Sequence, residues 1–210
     1  MNPFDLSNKV ICVTGASSGI GRQCAVSCSR MGATVVLLAR NEQRLHETLS
    51  IMDNPDKHVI IPVDLTEYAT VELVVKNIVS QVGRISGVLH CAGISTTLPL
   101  KLVTPEKLDE FFQANVFSAY NLTREVCKMG NFSREGGSIV FFSSVMGKVG
   151  ENGKSLYGMT KGALVSGTRS LACELAKKKI RVNTVSPGVV ITPINYNLPH
   201  IADPERLSLI

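Results

Sequence analysis

Tyr157 and Lys161 stand four residues apart in Tyr-Gly-Met-Thr-Lys, and Ser144 precedes Tyr157 by thirteen residues. On a helix, positions i and i+4 lie one turn apart on the same face. An ammonium held there favours the ionised form of a neighbouring phenol. A free tyrosine has a pKa of about 10, too high for efficient proton exchange near neutrality, so such a lysine is what a proton-transferring tyrosine needs. Taken alone the pair is weak, because solvated helix surfaces carry many Tyr-x-x-x-Lys neighbours. A second feature gives it weight. Lys9 to Thr14 reads as a short buried strand and runs straight into Gly15-Ala-Ser-Ser-Gly19-Ile-Gly21, after which Arg22 to Met31 reads as helix. Glycines let backbone N–H groups approach a phosphate, and a helix N-terminus favours negative charge. The spacing Gly-x-x-x-Gly-x-Gly differs from the general dinucleotide pattern Gly-x-Gly-x-x-Gly. A tight turn closing a strand–helix unit is the structural alternative; the helix that starts directly after the turn favours the phosphate site.

These groups need a scaffold, and the pattern of the chain supplies one. Strands are predicted at 9–14, 34–39, 58–63, 85–91, 137–143 and 180–185, with helices at 19–31, 41–52, 67–82, 105–129 and 156–177. Thr104 before Pro105 marks a helix start, a capping hydroxyl followed by proline at the first helical position. Apolar runs such as Thr34-Val-Val-Leu-Leu-Ala39 lack period-2 alternation, as strands covered on both faces do. Alternating strand and helix predicts an α/β doubly wound parallel sheet. No linker, repeat or low-complexity stretch divides residues 1–210, so one domain is expected. Thr14-Gly15, Asp64, Cys91-Ala92-Gly93, Ser143-Ser144 and Pro187-Gly188 all follow the carboxyl ends of predicted strands, the edge where open parallel sheets bind ligands.

Together these residues resemble the short-chain dehydrogenase/reductase family, in order along nearly the whole chain. Thr14 to Gly21 matches that family's cofactor turn. Asp64 in Val-Asp-Leu65 and Cys91-Ala92-Gly93 match its adenine-side segments, and Asn115 its helix asparagine. Ser144, Tyr157 and Lys161 match its catalytic serine, tyrosine and lysine, and Ser186-Pro187-Gly188-Val189-Val190-Ile191-Thr192 its nicotinamide-side loop. The resemblance implies a single Rossmann-type domain that binds a dinucleotide through Gly15, Ser17, Ser18, Gly19, Ile20, Gly21, Asp64, Leu65, Cys91, Ala92, Gly93, Tyr157, Lys161, Pro187, Gly188, Val190 and Thr192. It also implies a homo-oligomer, a dimer or homotetramer. Cys91 stands where the family usually has asparagine, which puts one backbone-supporting hydrogen bond in doubt. Relatives also continue past the substrate loop into a further helix and a last strand, so the 210 residues are read as missing that segment.

The implied reaction is hydride transfer between nicotinamide C4 and a carbonyl or alcohol carbon. Tyr157 exchanges the proton, Lys161 lowers its pKa and holds the ribose, and Ser144 bonds the substrate oxygen. Asn115 links Lys161 to solvent through a water; its structural alternative is a helix asparagine capping nearby backbone. Ser143 is the competing serine. Arg40 lies at the end of the second strand, where an NAD-binding protein places Asp or Glu for the ribose 2′-hydroxyl. An arginine there can bond a 2′-phosphate instead, with Arg22 as a second contributor, so NADP(H) is the expected cofactor. The closest resemblance is to 3-oxoacyl-carrier-protein reductases, which makes a carrier-bound acyl thioester the leading substrate among small-molecule carbonyls and alcohols. A cofactor-binding sensor without turnover and an NAD-dependent alcohol dehydrogenase or epimerase are the competing readings.

Composition narrows the remaining classes. With 44% hydrophobic and 19% charged residues, the chain has ample material for one core. No apolar run reaches membrane-span length, and the N-terminus lacks a signal-peptide pattern. Cys12, Cys24, Cys28, Cys91, Cys127 and Cys173 are scattered rather than spaced as a disulfide framework, and no histidine completes a metal site around Cys24 and Cys28. Reduced thiols in a cytoplasmic protein are expected, and the sequons at Asn121 and Asn131 then carry no information. The net charge of +5 suits a phosphorylated cofactor or an acidic carrier, but no basic tract with interleaved aromatics supports nucleic-acid binding. Lys177-Lys178-Lys179 reads as a solvated helix end. His90 reads as a core histidine, and His46, His58 and His200 have no convergent partners. Asn195 and Tyr196 are candidates for the substrate pocket or a lid over it.

Overall fold

In the strand β1 (Val10–Thr14) all five residues are buried, because successive side chains enter two different cores. Val10 and Cys12 join one apolar cluster and Ile11 and Val13 the other. The same division recurs in β2 (Thr34–Ala39), with Val36 and Leu38 on one side and Val35 and Leu37 on the other. This is why these strands read as unbroken apolar runs. The computed structural model describes residues 4–194; the expectations placed on Asn195, Tyr196 and His200 lie outside the described residues.

Six strands pair in parallel in the order β3-β2-β1-β4-β5-β6, with β3 at Val59–Pro62, β4 at Gly87–His90, β5 at Gly137–Phe142 and β6 at Ile180–Val185. The order reverses between β1 and β4, and the switch point of such a sheet is where a crevice opens at the carboxyl edge. Helices α1 (Gly19–Arg30) and α2 (Glu42–Leu49) cover one face. Helices α3 (Tyr68–Val82), α5 (Ser118–Val126) and α6 (Ser155–Leu175) cover the other. Along α6, Leu156, Thr160, Leu164, Thr168, Leu171 and Leu175 form the buried stripe, at the three-and-four spacing of a packed helical face.

The predicted helix 105–129 differs from the observed one. It runs as α4 (Pro105–Phe112), a π-helical turn (Gln113–Phe117) and α5, ending at Val126. Thr104 caps it as expected, its hydroxyl accepting from Lys107 N–H at 3.3 Å. The wide turn lies at Asn115, which is almost fully buried. Among the described residues, no helix is long and apolar enough to cross a membrane.

His90 is a core residue, as read. Its ring stacks on Phe141 with centroids 4.6 Å apart, and Nε2 lies 2.9 Å from Thr123 Oγ1. That hydroxyl itself donates to the Ala119 carbonyl, so Nε2 carries the hydrogen and donates. Nδ1 has no partner, and burial lowers the pKa from 6.5 to about 3. Between those values the unfolded chain binds a proton at residue 90 that the folded chain refuses. Stability is therefore full above pH 6.5 and falls as the pH drops, by about 1.4 kcal/mol per pH unit. His58 adds to the trend: burial lowers its pKa, and its Nδ1 accepts from Val35 N–H. Urea unfolding at pH 7 and pH 5 should show a much smaller loss in His90→Phe than in the native chain; equal losses would contradict this.

Candidate active site

The crevice at the switch point is a cleft of about 760 Å³, within the usual range for small-molecule sites. Its floor is the glycine turn. Gly15 has φ +66°, and a methyl on it would sit 2.9 Å from the backbone of Ala92. A methyl on Gly21 would lie 2.3 Å from the Gly15 carbonyl oxygen. The turn is therefore folded against itself and against the segment after β4, leaving no room for side chains. Ser18 enters α1 in extended conformation, makes no side-chain cap, and no acidic residue occupies the first turn of α1. The result is a helix N-terminus with backbone donors, favourable to an anion. Ser17, Ser18, Gly19 and Ile20 line the cleft with Gly15 and Gly21. The donor set and the bare glycine cradle fit the pyrophosphate of a dinucleotide.

The end of the cleft expected from the sequence to face adenine is built by the tips of β2 and β3. Arg40, Asp64 and Leu65 line the cleft. Asp64 Oδ1 accepts from Thr66 N–H at 2.9 Å and from its hydroxyl at 2.7 Å, and Oδ2 lies 3.8 Å from Arg40 Nη1. Burial alone would raise the Asp64 pKa, but the Thr66 hydrogen bonds and Arg40 together hold it below the usual carboxylate range. The Arg40 side chain itself is largely exposed. Arg44, which the sequence reading passed over, also lines the cleft, in the first turn of a helix whose cap, Asn41, accepts from Arg44 N–H at 2.9 Å. Arg22 lies beside the glycine turn. Its guanidinium donates to the Ser17 carbonyl at 2.8 Å and to Glu47 at 3.1 Å, and it lines the neighbouring groove.

At the other end, Cys91, Ala92 and Gly93 line the wall with Tyr157 and Lys161. Ala92 N–H donates to Thr14 Oγ1 at 3.0 Å, so the threonine before the glycine turn ties the two segments together. Asn115 clamps the next residue. Its Oδ1 accepts from Ile94 N–H at 2.7 Å, while Nδ2 donates to the Ile94 carbonyl and the Thr160 hydroxyl, each at 3.0 Å. This is the backbone-capping alternative raised from the sequence, and Thr160 in Tyr-Gly-Met-Thr-Lys is a positioning residue that reading missed. The close approach requires Gly93: a methyl there would be 2.9 Å from Asn115 Oδ1 and 3.4 Å from Lys161 Nζ.

Lys161 is buried, and its ammonium donates to the Phe142 carbonyl at 2.9 Å. Burial lowers its pKa from 10.5 to about 8. Its Nζ lies 5.6 Å from the centre of the Tyr157 ring. Burial pushes the Tyr157 phenol above its ordinary value, offset in part by a hydrogen bond with Ser144. The two serines separate cleanly. Ser143 Oγ donates to the Lys161 carbonyl at 2.7 Å, which commits its hydrogen to holding α6 against β5. Ser144 Oγ accepts from Met146 N–H at 3.2 Å and hydrogen-bonds Tyr157, whereas Ser143 and not Ser144 is among the residues lining the cleft.

The loop after β6 closes the arrangement. The Pro187 carbonyl accepts from Val145 N–H at 3.0 Å, tying that loop to the Ser144 turn. Pro187 and Gly188 are not among the residues lining the cleft, Val190 lines the neighbouring groove, and Thr192 lines both. Thr192 also approaches the glycine turn, 3.2 Å from where a methyl on Gly19 would lie.

Residues 9–201 match the family model described as short chain dehydrogenase. The chain is similar to a 3-oxoacyl-[acyl-carrier-protein] reductase of Thermotoga maritima, with 32% identity over 98% of this chain and 83% of that protein. It is similar to a cyclopentanol dehydrogenase of Comamonas sp., with 33% identity over 92% and 77% respectively. The solved structure of a short-chain dehydrogenase/reductase, a glucose/ribitol dehydrogenase from Brucella melitensis, superposes with a TM-score of 0.87 at 30% identity, covering 93% of this chain and 78% of that one.

Proposed function

The chain belongs to the short-chain dehydrogenase family, and from that membership we propose an NADP(H)-dependent oxidoreductase that interconverts a carbonyl and a secondary alcohol. The observation that carries this reading is the meeting, in one cleft, of a bare glycine cradle with Tyr157 and Lys161, with Ser144 hydrogen-bonded to Tyr157. A nicotinamide bound there supplies or accepts hydride at C4. Ser144 donates to the substrate oxygen and stabilises its developing charge. Tyr157, kept protonated by burial, gives that oxygen its proton during reduction and takes it back during oxidation. Lys161 is an ammonium below about pH 8, close enough to the ring to favour the tyrosinate left behind. Asn115 and Thr160 position the segment at Ile94 against α6.

Arg40 and Arg44 support NADP(H), because two guanidinium groups at this end match a 2′-phosphate and repel nothing in it. Arg40→Asp is expected to lower NADPH affinity by about tenfold to a hundredfold, the scale of one lost charge-assisted contact, while NADH affinity holds or rises. Fluorescence titration with each cofactor measures this; an unchanged NADPH affinity would remove Arg40 from the site. Similarity to the carrier-protein reductase favours a 3-oxoacyl thioester substrate, and the net charge of +5 suits an acidic carrier. Similarity to the cyclopentanol dehydrogenase favours alcohol oxidation as the second reading. An acetoacetyl thioester with NADPH, run beside cyclic alcohols with NADP⁺ and NAD⁺, separates the two by which pair turns over. Exposed Leu73, Phe117 and Tyr120 support a homo-oligomer.

A further inference from the structure

The segment that leaves β4 is held at two places. Asn115 fixes its start at Ile94. Its next residues are tied to the turn that opens α6. Leu98 N–H donates to the Gly153 carbonyl at 2.8 Å, and Lys154 Nζ donates to the Thr96 carbonyl at 3.1 Å. Gly153 sits directly against the same stretch: it has φ +75°, and a methyl on it would lie 2.9 Å from Thr97 Cγ2. Ile94 and Tyr157 line the cleft. Thr96 stands two residues beyond Ile94, and Lys154 three residues before Tyr157. The second tie therefore joins the two chain segments that continue outward from those cleft residues.

Lys154 does little for the helix it precedes. Its side chain makes no cap on α6, and the dipole of a helix favours an anion at that end. Yet the residue is only 7% exposed, and no carboxylate pairs with it among the described residues. Burying so long a polar side chain costs rotamer entropy and hydration. What it supplies in return is reach, from the start of α6 to a backbone oxygen on the loop after β4.

We propose, on the carbonyl-reductase reading of this cleft, that Lys154 is a positioning residue that sets the substrate-side wall and thereby which carbonyl compounds are accepted. A substrate whose substituents end near Ile94 meets backbone held by Asn115, and Lys154 does not affect it. One with a longer substituent reaches the stretch from Thr96 to Leu98, whose place depends on Lys154 and Gly153. Without the Nζ bond that stretch is free between Ile94 and the short helical turn Leu100–Leu102, apart from the bond at Leu98. Longer substrates then lose orientation and short ones do not.

Two variants of the full chain test this. Lys154→Met keeps the stem and removes the donor; Gly153→Ala strains the same junction from the backbone, through its positive φ and the methyl against Thr97. Each is compared with the native chain for kcat/KM with NADPH on methyl ketones from acetone to 2-decanone and on an acetoacetyl thioester. Hydrogen exchange of the peptide spanning residues 94–102 is followed by mass spectrometry, and NADPH binding is titrated. Both variants should exchange faster in that peptide and bind NADPH as the native chain does. Their loss in kcat/KM should grow along the series, from less than about twofold for acetone to about tenfold to a hundredfold for the longest substrates, the scale of a misplaced wall. A role in stability alone would lower every substrate alike. An equal loss across the series, no loss at all, or unchanged exchange in the 94–102 peptide would each overturn the proposal. A native chain that binds NADPH and reduces none of these carbonyls overturns the carbonyl-reductase reading and the selectivity role with it, whereas the exchange measurement separately shows whether Lys154 holds the segment.

Discussion

Tyr157→Phe is expected to lower turnover by about 10²- to 10⁴-fold, the usual worth of a positioned acid or base, with cofactor affinity changed by less than about twofold. The ring is half-buried on α6, directly beside the buried stripe, and phenylalanine keeps its packing. Only the hydroxyl is removed, and with it the proton that the substrate oxygen needs. Ser144 loses one partner but keeps the hydrogen bond from Met146 N–H, so the turn that carries it stays in place. Steady-state kinetics with NADPH titration separates the outcomes. Full turnover in the variant would show that another group moves the proton; lost cofactor binding would show that the ring matters as a wall and not as an acid.

Gly21→Ala is expected to act at the opposite end of the cleft, on binding and folding together. The added methyl would lie 2.3 Å from the Gly15 oxygen, 2.7 Å from its carbonyl carbon and 3.0 Å from the Thr14 oxygen. All three are backbone atoms, so no side chain can swing aside to relieve the clash. The turn must shift, at about 1–3 kcal/mol of stability for an overpacked site. The donors at the start of α1 move with it, and displacement on that scale costs about a hundredfold in function. Gly167→Ala is the matched control, because a methyl at that position of α6 meets nothing within 4 Å. Thermal unfolding and NADPH titration of both variants should show a loss in the first alone. Equal behaviour would mean that the cradle does not depend on the bare approach of Gly21 to Gly15.

The regular elements were legible in the sequence, because strands buried on both faces and helices with apolar stripes each leave a period that needs no tertiary information. Every predicted strand and helix appears, with ends shifted by a few residues and the 105–129 helix divided by a π-helical turn. The π-helical turn at Asn115 was not legible. Its residues continue an ordinary helical pattern, and the turn coincides with the side chain's hydrogen bonds to Ile94 and Thr160, which are remote in sequence. The electrostatics were legible only in part. The i, i+4 spacing brings Lys161 near Tyr157, but burial sets the sign of the shift, and it pushes the phenol up and the ammonium down. Arg22 was read as a second contributor because it follows the glycine turn; its pairing with Glu47 from another helix was not legible. The choice of Ser144 over Ser143 rested on spacing; in the structure Ser143 lines the cleft but bonds the Lys161 carbonyl, while Ser144 bonds Tyr157.

If this cleft passes hydride between a nicotinamide and a carbonyl carbon, the label on the cofactor must reach the product. The most direct measurement incubates the protein with NADPH deuterated at C4 and an acetoacetyl thioester beside a panel of simple ketones, and reads the alcohol products by mass spectrometry. Deuterium is expected on the carbinol carbon of at least one product, and none with Tyr157→Phe in the same time. Cofactor that binds yet yields no labelled alcohol from any carbonyl offered would contradict it.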